Sequence, residues 1–192
     1  MKLAPYDELN VLREKIGGVA ESRRLTPGEM RDTFSDWVLD ILIMSYLYGT
    51  DDAAELLGID IDNFRADPDR MSDAIFMDVA GENFRQRIDR YVDDEGEVNV
   101  PAILRVAEAE MTRDYNQGGL DAANTSGFQV LKTWNTMMDE KVRETHQWLE
   151  GVTIPLNDRF YTPDGDSALG PGGFSQADNN VGCRCWLTYQ RA

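Results

Sequence analysis

The segment 179-NNVGCRCWLTY-189 places two cysteines one residue apart near the end of the sequence. They are the only cysteines of the chain, and its single histidine, His146, lies 37 positions before the first of them. Because side chains alternate along a strand, Cys183 and Cys185 should point to one face and Arg184 to the other. Any chemistry that needs soft ligands must be built from the histidine and the two cysteines.

Three interpretations of this trio remain open. The cysteines could be small core residues that pack against a helix. They could bind zinc together with His146, but structural zinc normally has four ligands, and the fourth would have to be a carboxylate such as Asp139. They could also supply a catalytic Cys–His pair, which would need an activated thiolate in a cleft. A disulfide across so short a loop is disfavoured.

The histidine falls within 136-TMMDEKVRETHQWLEG-151, which predicts a compact helix with Thr136 as its N-cap and Gly151 as its stop. His146 lies beside the predicted inward stripe of this helix. The residues of that stripe are Met138, Val142, Thr145 and Leu149.

Two charged residues of the same segment, Asp139 and Arg143, are spaced as an i,i+4 pair. They lie near the side that carries His146. We therefore predict that Asp139, Arg143, His146, Cys183 and Cys185 converge in one buried cluster, in which the segment with the two cysteines docks onto the helix.

Charge and hydropathy exclude several classes of protein. The 192-residue chain has a net charge of −16, and its only basic cluster is Arg23-Arg24, so we expect no specific binding to nucleic acid. The longest apolar run, 37-WVLDILIMSYLY-48, has twelve residues, whereas a membrane span needs about 20. The N-terminus turns polar before a signal-peptide core could form. We expect a protein made and kept in a cytosol, with no membrane association.

The remaining pattern is helical first and mixed later, which predicts an α+β fold that is mostly α-helical. A helical N-terminal two-thirds should be followed by a small antiparallel β/helix unit. We predict a helical region over 1–93 and an α+β unit over 94–192, packed together as one compact body. The predicted helices are 26–49, 51–58, 73–92 and 101–127, with a possible kink at Gly118-Gly119; the predicted strands lie within 128–134, 152–162 and 183–190, and the predicted loops are 59–72, 93–100 and 163–180.

The order of motifs over about residues 75–190 resembles the phage Mu protein F-like family, the minor head proteins of tailed phages. The stretch 108-EAEMTRDYNQGGLDAANTSG-127 is followed by 132-KTWNTMMDEKVRETHQWLEG-151 and finally by 179-NNVGCRC-185. The residues that carry the resemblance are Glu110, Tyr115, Asn116, Lys132, Trp134, Asp139, Arg143, His146, Leu149, Gly151, Cys183, Arg184 and Cys185.

The resemblance implies a structural role. Proteins of this family are low-copy parts of the phage head, associated with the portal protein and other head proteins and acting in head assembly or in DNA packaging and ejection. It thus implies a location in the virion head, interior or near the portal, and in the host cytoplasm during assembly. We expect no enzymatic activity, no toxin or nuclease domain after residue 192 and no required cofactor; the alternative is a zinc-binding protein or a Cys/His enzyme.

Overall fold

The computed structural model describes residues 6–60, 65–79 and 81–192. The fold is α+β, with helices first and a small antiparallel sheet last, as predicted. The helices are α1 (Tyr6–Ser22), α2 (Pro27–Leu57), α3 (Pro68–Ile75), α4 (Phe84–Asp89), α5 (Val100–Thr125), α6 (Glu144–Gln147) and α7 (Ala177–Asn180). The strands are β1 (Val130–Asn135), β2 (Thr153–Pro155), β3 (Phe160–Tyr161), β4 (Ser167–Ala168) and β5 (Trp186–Arg191).

The start of α2 follows the capping signal in the sequence. The Thr26 hydroxyl accepts a hydrogen bond from the backbone N–H of Glu29 at 3.3 Å. In return, the Glu29 carboxylate accepts one from the backbone N–H of Thr26 at 2.8 Å. Pro27 occupies the first turn, where its missing N–H costs nothing. The predicted start at this point is confirmed.

The predicted end of this helix at Gly49 is wrong. Residues 51–58, predicted as a separate helix, form the last turns of α2, and Gly58 ends it in the left-handed conformation at φ 62°. A glycine inside a helix costs about 1 kcal/mol relative to alanine, which packing can offset.

The backbones of α2 and α5 cross at two glycines. A Cβ added to Gly49 would overlap the carbonyl oxygen of Tyr115, and one added to Gly118 would overlap that of Tyr46. The Thr50 hydroxyl donates to the Tyr46 carbonyl at 3.0 Å beside this contact. The pair Gly118-Gly119, predicted as a possible kink, lies within one uninterrupted helix. Gly118 serves close approach between the two helices, whereas Gly119 lies against the Tyr189 side chain.

The chain between these long helices departs from prediction. In place of one helix over 73–92 it forms α3 and α4, separated by a turn in which Gly81 has φ 87°. The side chains of Asp67 and Asn83 cap the two helices. These local caps outweigh the apolar periodicity across the turn. The predicted loop over 59–72 ends earlier than expected, at α3, and residues 61–64 of it lie outside the described residues.

The sheet forms in the last third of the chain. Its order is β2-β1-β5 with both pairings antiparallel, and β3 pairs with β4 in a separate two-stranded ribbon. Along β1, buried and partly exposed residues alternate, so Val130, Lys132 and Trp134 share the inward face. In the register, Trp134 lies opposite Leu187 and Lys132 opposite Tyr189.

The predicted helix over 136–151 is also wrong, because only Glu144–Gln147 is helical. The Thr136 hydroxyl accepts a hydrogen bond from the backbone N–H of Met138, which has φ 52°. The Glu150 carboxylate accepts one from the backbone N–H of Thr136 at 2.6 Å and so joins the two ends of the segment. As a result Met138, predicted to face inward, is 79% exposed.

Among the described residues, two apolar clusters form the core. The first unites α1 and α2 with α3, α4 and the first half of α5. The second unites the strands with the ends of α2 and α5. Because both long helices contribute to both clusters, the division of the chain at residue 93 stays a prediction. In the described part of the chain, none of the helices has the length and hydropathy to cross a bilayer.

The helix crossing predicts a strong asymmetry between glycines. Gly118→Ala should lower the free energy of unfolding by about 1–3 kcal/mol or more, because the new methyl group must force the backbones apart. Gly17→Ala, on α1 with nothing within 4 Å, should be neutral or raise stability by up to about 1 kcal/mol. Urea unfolding of both variants measures the difference. Equal effects would contradict the backbone-to-backbone contact.

Candidate functional site

Helix α5 holds the segment that contains the two cysteines. The Thr112 hydroxyl donates to the Cys183 carbonyl at 2.8 Å, and the Asn116 amide donates to the Cys185 carbonyl at 3.3 Å. The side-chain oxygen of Asn116 accepts from the backbone N–H of Leu187 at 2.9 Å. Thr112 and Asn116 are one helical turn apart, so together they fix an extended segment against the helix.

The two cysteines lie just before β5 and not within it. They nevertheless alternate as a strand would: Cys183 is 3% exposed and Cys185 is 5% exposed, while Arg184 points away to pair with Asp139 at 2.6 Å. Both are free thiols. The prediction that both cysteines point to one face and Arg184 to the other is therefore confirmed, although this segment is not a regular strand.

His146 meets both thiols from the other side. Its Nδ1 lies 3.6 Å from the Cys183 sulfur and 3.4 Å from the Cys185 sulfur. The imidazole is buried, with its ring centroid 5.4 Å from those of both Trp134 and Phe174. These flanking rings fix the orientation in which Nδ1 faces the sulfurs. Nε2 has no hydrogen-bond partner among the described residues.

The loop that supplies Phe174 is anchored by a buried carboxylate. Asp166 accepts hydrogen bonds from the backbone N–H groups of Ser167, Ser175 and Gln176. Burial alone would raise the pKa of Asp166, but these donors and the Asn179 amide together hold it well below its usual value. The loop is thus tied down over the histidine.

The thiols titrate as a pair. The hydrogen bond from Cys185 lowers the pKa of Cys183 well below its usual value against the effect of burial, and His146 adds to this shift. The same pairing, together with burial, raises the pKa of Cys185. Trp134 and Arg143 act in the opposite direction on Cys185. Cys183 is therefore the more acidic partner of the pair.

Asp139 and Arg143 do not complete the predicted cluster. Asp139 is exposed and bonded to Arg184, and its pKa is lowered mainly by that bond. Arg143 is partly buried and donates to the Val181 carbonyl at 2.5 Å. The expected pair between them fails because residues 139–143 are not helical. Asp139 is also not within ligand distance of the trio, since only His146, Cys183 and Cys185 form a group with ligand atoms within 4.8 Å of one another in the described ranges.

Other residues of the motif help to position the chain segments around the site. Lys132 is buried, donates to the Leu169 carbonyl at 2.8 Å and lies 5.4 Å from the Phe160 ring centroid. Burial lowers the pKa of Lys132 to about 8. Gly151, at φ 72°, returns the chain so that its N–H donates to the Trp134 carbonyl at 2.9 Å. Leu149 is buried in the same cluster.

Helix α5 also carries buried charged side chains that form ion pairs close to Thr112. Glu110 pairs with Arg87 and, at 2.5 Å, with Arg113, which also contacts Asp114 at 3.2 Å. Burial raises the pKa of Asp114 to about 8 despite the neighbouring guanidinium. Next in sequence, Tyr115 donates to Asp52 at 2.6 Å and so joins α5 to α2.

Sequence reasoning missed several residues that build the site. Thr112 could have been found from its i,i+4 spacing to Asn116 on α5. Phe174 and Asp166 gave no local signal, since they lie in a stretch rich in Gly, Asp and Ser that predicts only a loop.

The cavity that adjoins the trio has room for about one water molecule, but not for a substrate. The adjoining cavity has a volume of about 10 Å³ and is lined by His146, the two cysteines, Arg143 and Arg184 among others. A single water needs about 10–15 Å³. Two sulfurs and an imidazole nitrogen at this spacing are a soft-metal ligand set.

Comparison with known proteins defines the class of this chain. The family described as Phage Mu protein F like protein matches residues 70–188, more than half of the sequence, and includes every residue of the site. The chain belongs to this family. The predicted resemblance over about residues 75–190 is confirmed.

Two relatives give the match more detail. The chain is similar to the minor head protein GP7 of Bacillus phage SPP1, with 26% identity over 113 residues, 58% of this chain and 36% of that protein. It is also similar to NAD(+)–arginine ADP-ribosyltransferase EFV of Enterococcus faecalis, with 35% identity over 101 residues, 51% of this chain and 20% of that protein. The matches thus span about a third and a fifth of these relatives. No solved structure matches.

The burial of the thiols predicts protection from alkylation. In the native chain Cys183 and Cys185 should stay unmodified by iodoacetamide over a period in which the urea-unfolded chain is fully labelled, because reagent cannot reach a sulfur in a residue that is 3% or 5% exposed. Mass spectrometry of intact protein counts the adducts. Rapid labelling of the native chain at either cysteine would instead indicate an open cleft.

The anchor at Asp166 predicts a specific acid dependence. Its lowered pKa means that, below the ordinary Asp value of about 3.9, the unfolded chain binds more protons than the folded one, so stability falls as pH falls. Asp166→Asn should lower the free energy of unfolding at pH 7, and this variant should then lose less stability than the wild type as the pH falls. Urea unfolding from pH 7 to pH 2.5 tests it against Asp178→Asn, an exposed residue of α7. If the free energy of unfolding of Asp166→Asn fell with pH as steeply as that of the wild type, the role of the anchor would be disproved.

Proposed function

We propose that this chain is a minor head protein of a tailed phage or prophage that works by binding the portal protein and other head proteins. It acts in head assembly or in DNA packaging and ejection, and it is located in the virion head near the portal. The observation that carries the proposal is the family match over residues 70–188, together with the similarity to a protein named as a minor head protein.

The geometry of the site supports binding over turnover. The most acidic thiol, Cys183, is 3% exposed, and the cavity beside it is about 10 Å³. A nucleophilic cysteine needs access to its substrate, and binding pockets for small molecules are usually about 300–1,000 Å³. The cluster is therefore suited to fixing the shape of the C-terminal third.

The surface offers features suited to protein contacts. Trp148 and Tyr161 are each 69% exposed, and Met138 is 79% exposed. Exposed aromatic side chains and methionine are enriched at interfaces, and tryptophan is prominent among residues that dominate binding energy. On α2, by contrast, Tyr46 is buried and bonded to Asp121 at 2.7 Å.

The negative charge is compatible with work beside packaged DNA. A chain of net charge −16 gains little from contact with phosphates, so it should remain off the nucleic acid while it binds protein partners.

Copurification with the portal protein tests the proposal. The chain should copurify with the tagged portal protein of the same phage genome when the two are coexpressed, and it should be present in purified particles. Trp148→Ala should weaken this binding at least tenfold, because a large exposed aromatic is lost at the contact. The matched control is Leu56→Ala, a residue of α2 that is also exposed. Absence from both the portal fraction and the particles would overturn the proposal.

A further inference from the structure

We infer that His146, Cys183 and Cys185 bind a single zinc ion, through Nδ1 of the imidazole and both thiolate sulfurs, with a water molecule as the fourth ligand. The inference goes beyond the proposed role in the phage head and does not depend on it. It rests on distances, on charge balance and on the way in which the three ligands are held.

The distances suit a tetrahedral ion. Zinc lies about 2.3 Å from thiolate sulfur and about 2.0–2.1 Å from imidazole nitrogen, so at a tetrahedral angle the nitrogen and each sulfur are about 3.6 Å apart. The observed separations are 3.6 Å to Cys183 and 3.4 Å to Cys185.

Hydrogen bonding explains the contact of Nδ1 of His146 with one sulfur but not with both. One ring nitrogen is either a single donor or a single acceptor, so it satisfies one sulfur well and not two. Here two sulfurs approach the same Nδ1 at nearly equal distances. An ion that lies between all three atoms explains the convergence of both.

Charge balance favours the ion in this buried place. Two thiolates, a neutral imidazole and Zn²⁺ sum to zero, whereas an uncompensated charge would be costly at residues this deeply buried. The adjoining cavity is also lined by the cations Lys141, Arg143 and Arg184. Arg184 is paired with Asp139, and Arg143 donates to the Val181 carbonyl.

The ligands are held in place by their surroundings. Thr112 and Asn116 bond the backbone on either side of Arg184, and the rings of Trp134 and Phe174 flank the imidazole. Such outer contacts set ligand orientation in metal sites. The ion would link two segments that are 37 residues apart and enclose the loop that Asp166 anchors.

The fourth position is open. Within the described ranges, the group of ligand atoms contains three residues and no carboxylate. The adjoining cavity of about 10 Å³ is close to the volume that one water needs. A three-ligand site with a bound water is the arrangement that this space allows.

Metal content of the intact chain tests the inference. The chain is produced with a tag that contains no histidine, in zinc-supplemented medium, and purified under a reducing agent without chelator. Elemental analysis should find about one zinc per chain. Cys183→Ser, Cys185→Ser and His146→Ala should each fall below about 0.1, whereas Asp139→Asn should keep the wild-type value because that carboxylate is bonded to Arg184.

Cobalt substitution keeps the test decisive even where a buried substitution prevents folding. The wild-type chain, stripped of metal and titrated with Co²⁺, should saturate at one equivalent. It should show thiolate-to-cobalt absorption and the intense visible bands of tetrahedral cobalt, both removed by added zinc.

Three results would overturn the inference. A folded wild-type chain could contain less than about 0.1 zinc and give no one-to-one cobalt spectrum. Zinc could persist in a folded Cys183→Ser/Cys185→Ser chain. Intact mass could show the loss of two hydrogens, as for a Cys183–Cys185 disulfide, in chain purified without reductant that has bound no metal.

Discussion

The contact on which the rest of the fold depends is the crossing of α2 and α5, where two helix backbones meet with no side chain between them. Gly49 and Gly118 make this approach possible, and a methyl group at either position would overlap a carbonyl oxygen of the opposite helix. Close approach of this kind fixes the position of one helix on the other, because neither can shift without a clash. The geometry of α5 is thereby set for everything that packs on it.

The C-terminal third takes its position from the two helices in that crossing. Thr112 and Asn116 of α5 hold the cysteine segment, and a Cβ at Gly119 would collide with the Tyr189 side chain of β5. At the far end of β5, Arg191 donates to the Leu57 carbonyl at 2.9 Å, where a positive charge favours the C-terminus of a helix. The segment that leads into β5 is thus attached to α5, and the last residue of β5 is attached to α2.

Sequence reasoning succeeded where the signal was local and failed where tertiary contacts decided. Thr26 and Glu29 form a capping box that needs no other part of the chain, so the start of α2 was predictable. Gly49 reads as a helix stop because its partner, Tyr115, is distant in sequence. In the 136–151 segment, apolar spacing predicted a helix, but the bond between Thr136 and Glu150 closes the chain into a turn. The convergence of His146 with both cysteines followed from residue type and spacing, whereas the place of Asp139 depended on that helix and changed with it.

The buried histidine and the two thiols restrict how the C-terminal segments can pack. Buried polar groups rarely add net stability compared with apolar ones, but they restrict which arrangement of segments is compatible with their partners. Here one imidazole nitrogen faces two sulfurs, and the rings of Trp134 and Phe174 close the sides. A displaced cysteine segment would bury an unpaired thiolate or imidazole. The cluster therefore penalises every other docking of the C-terminal strand.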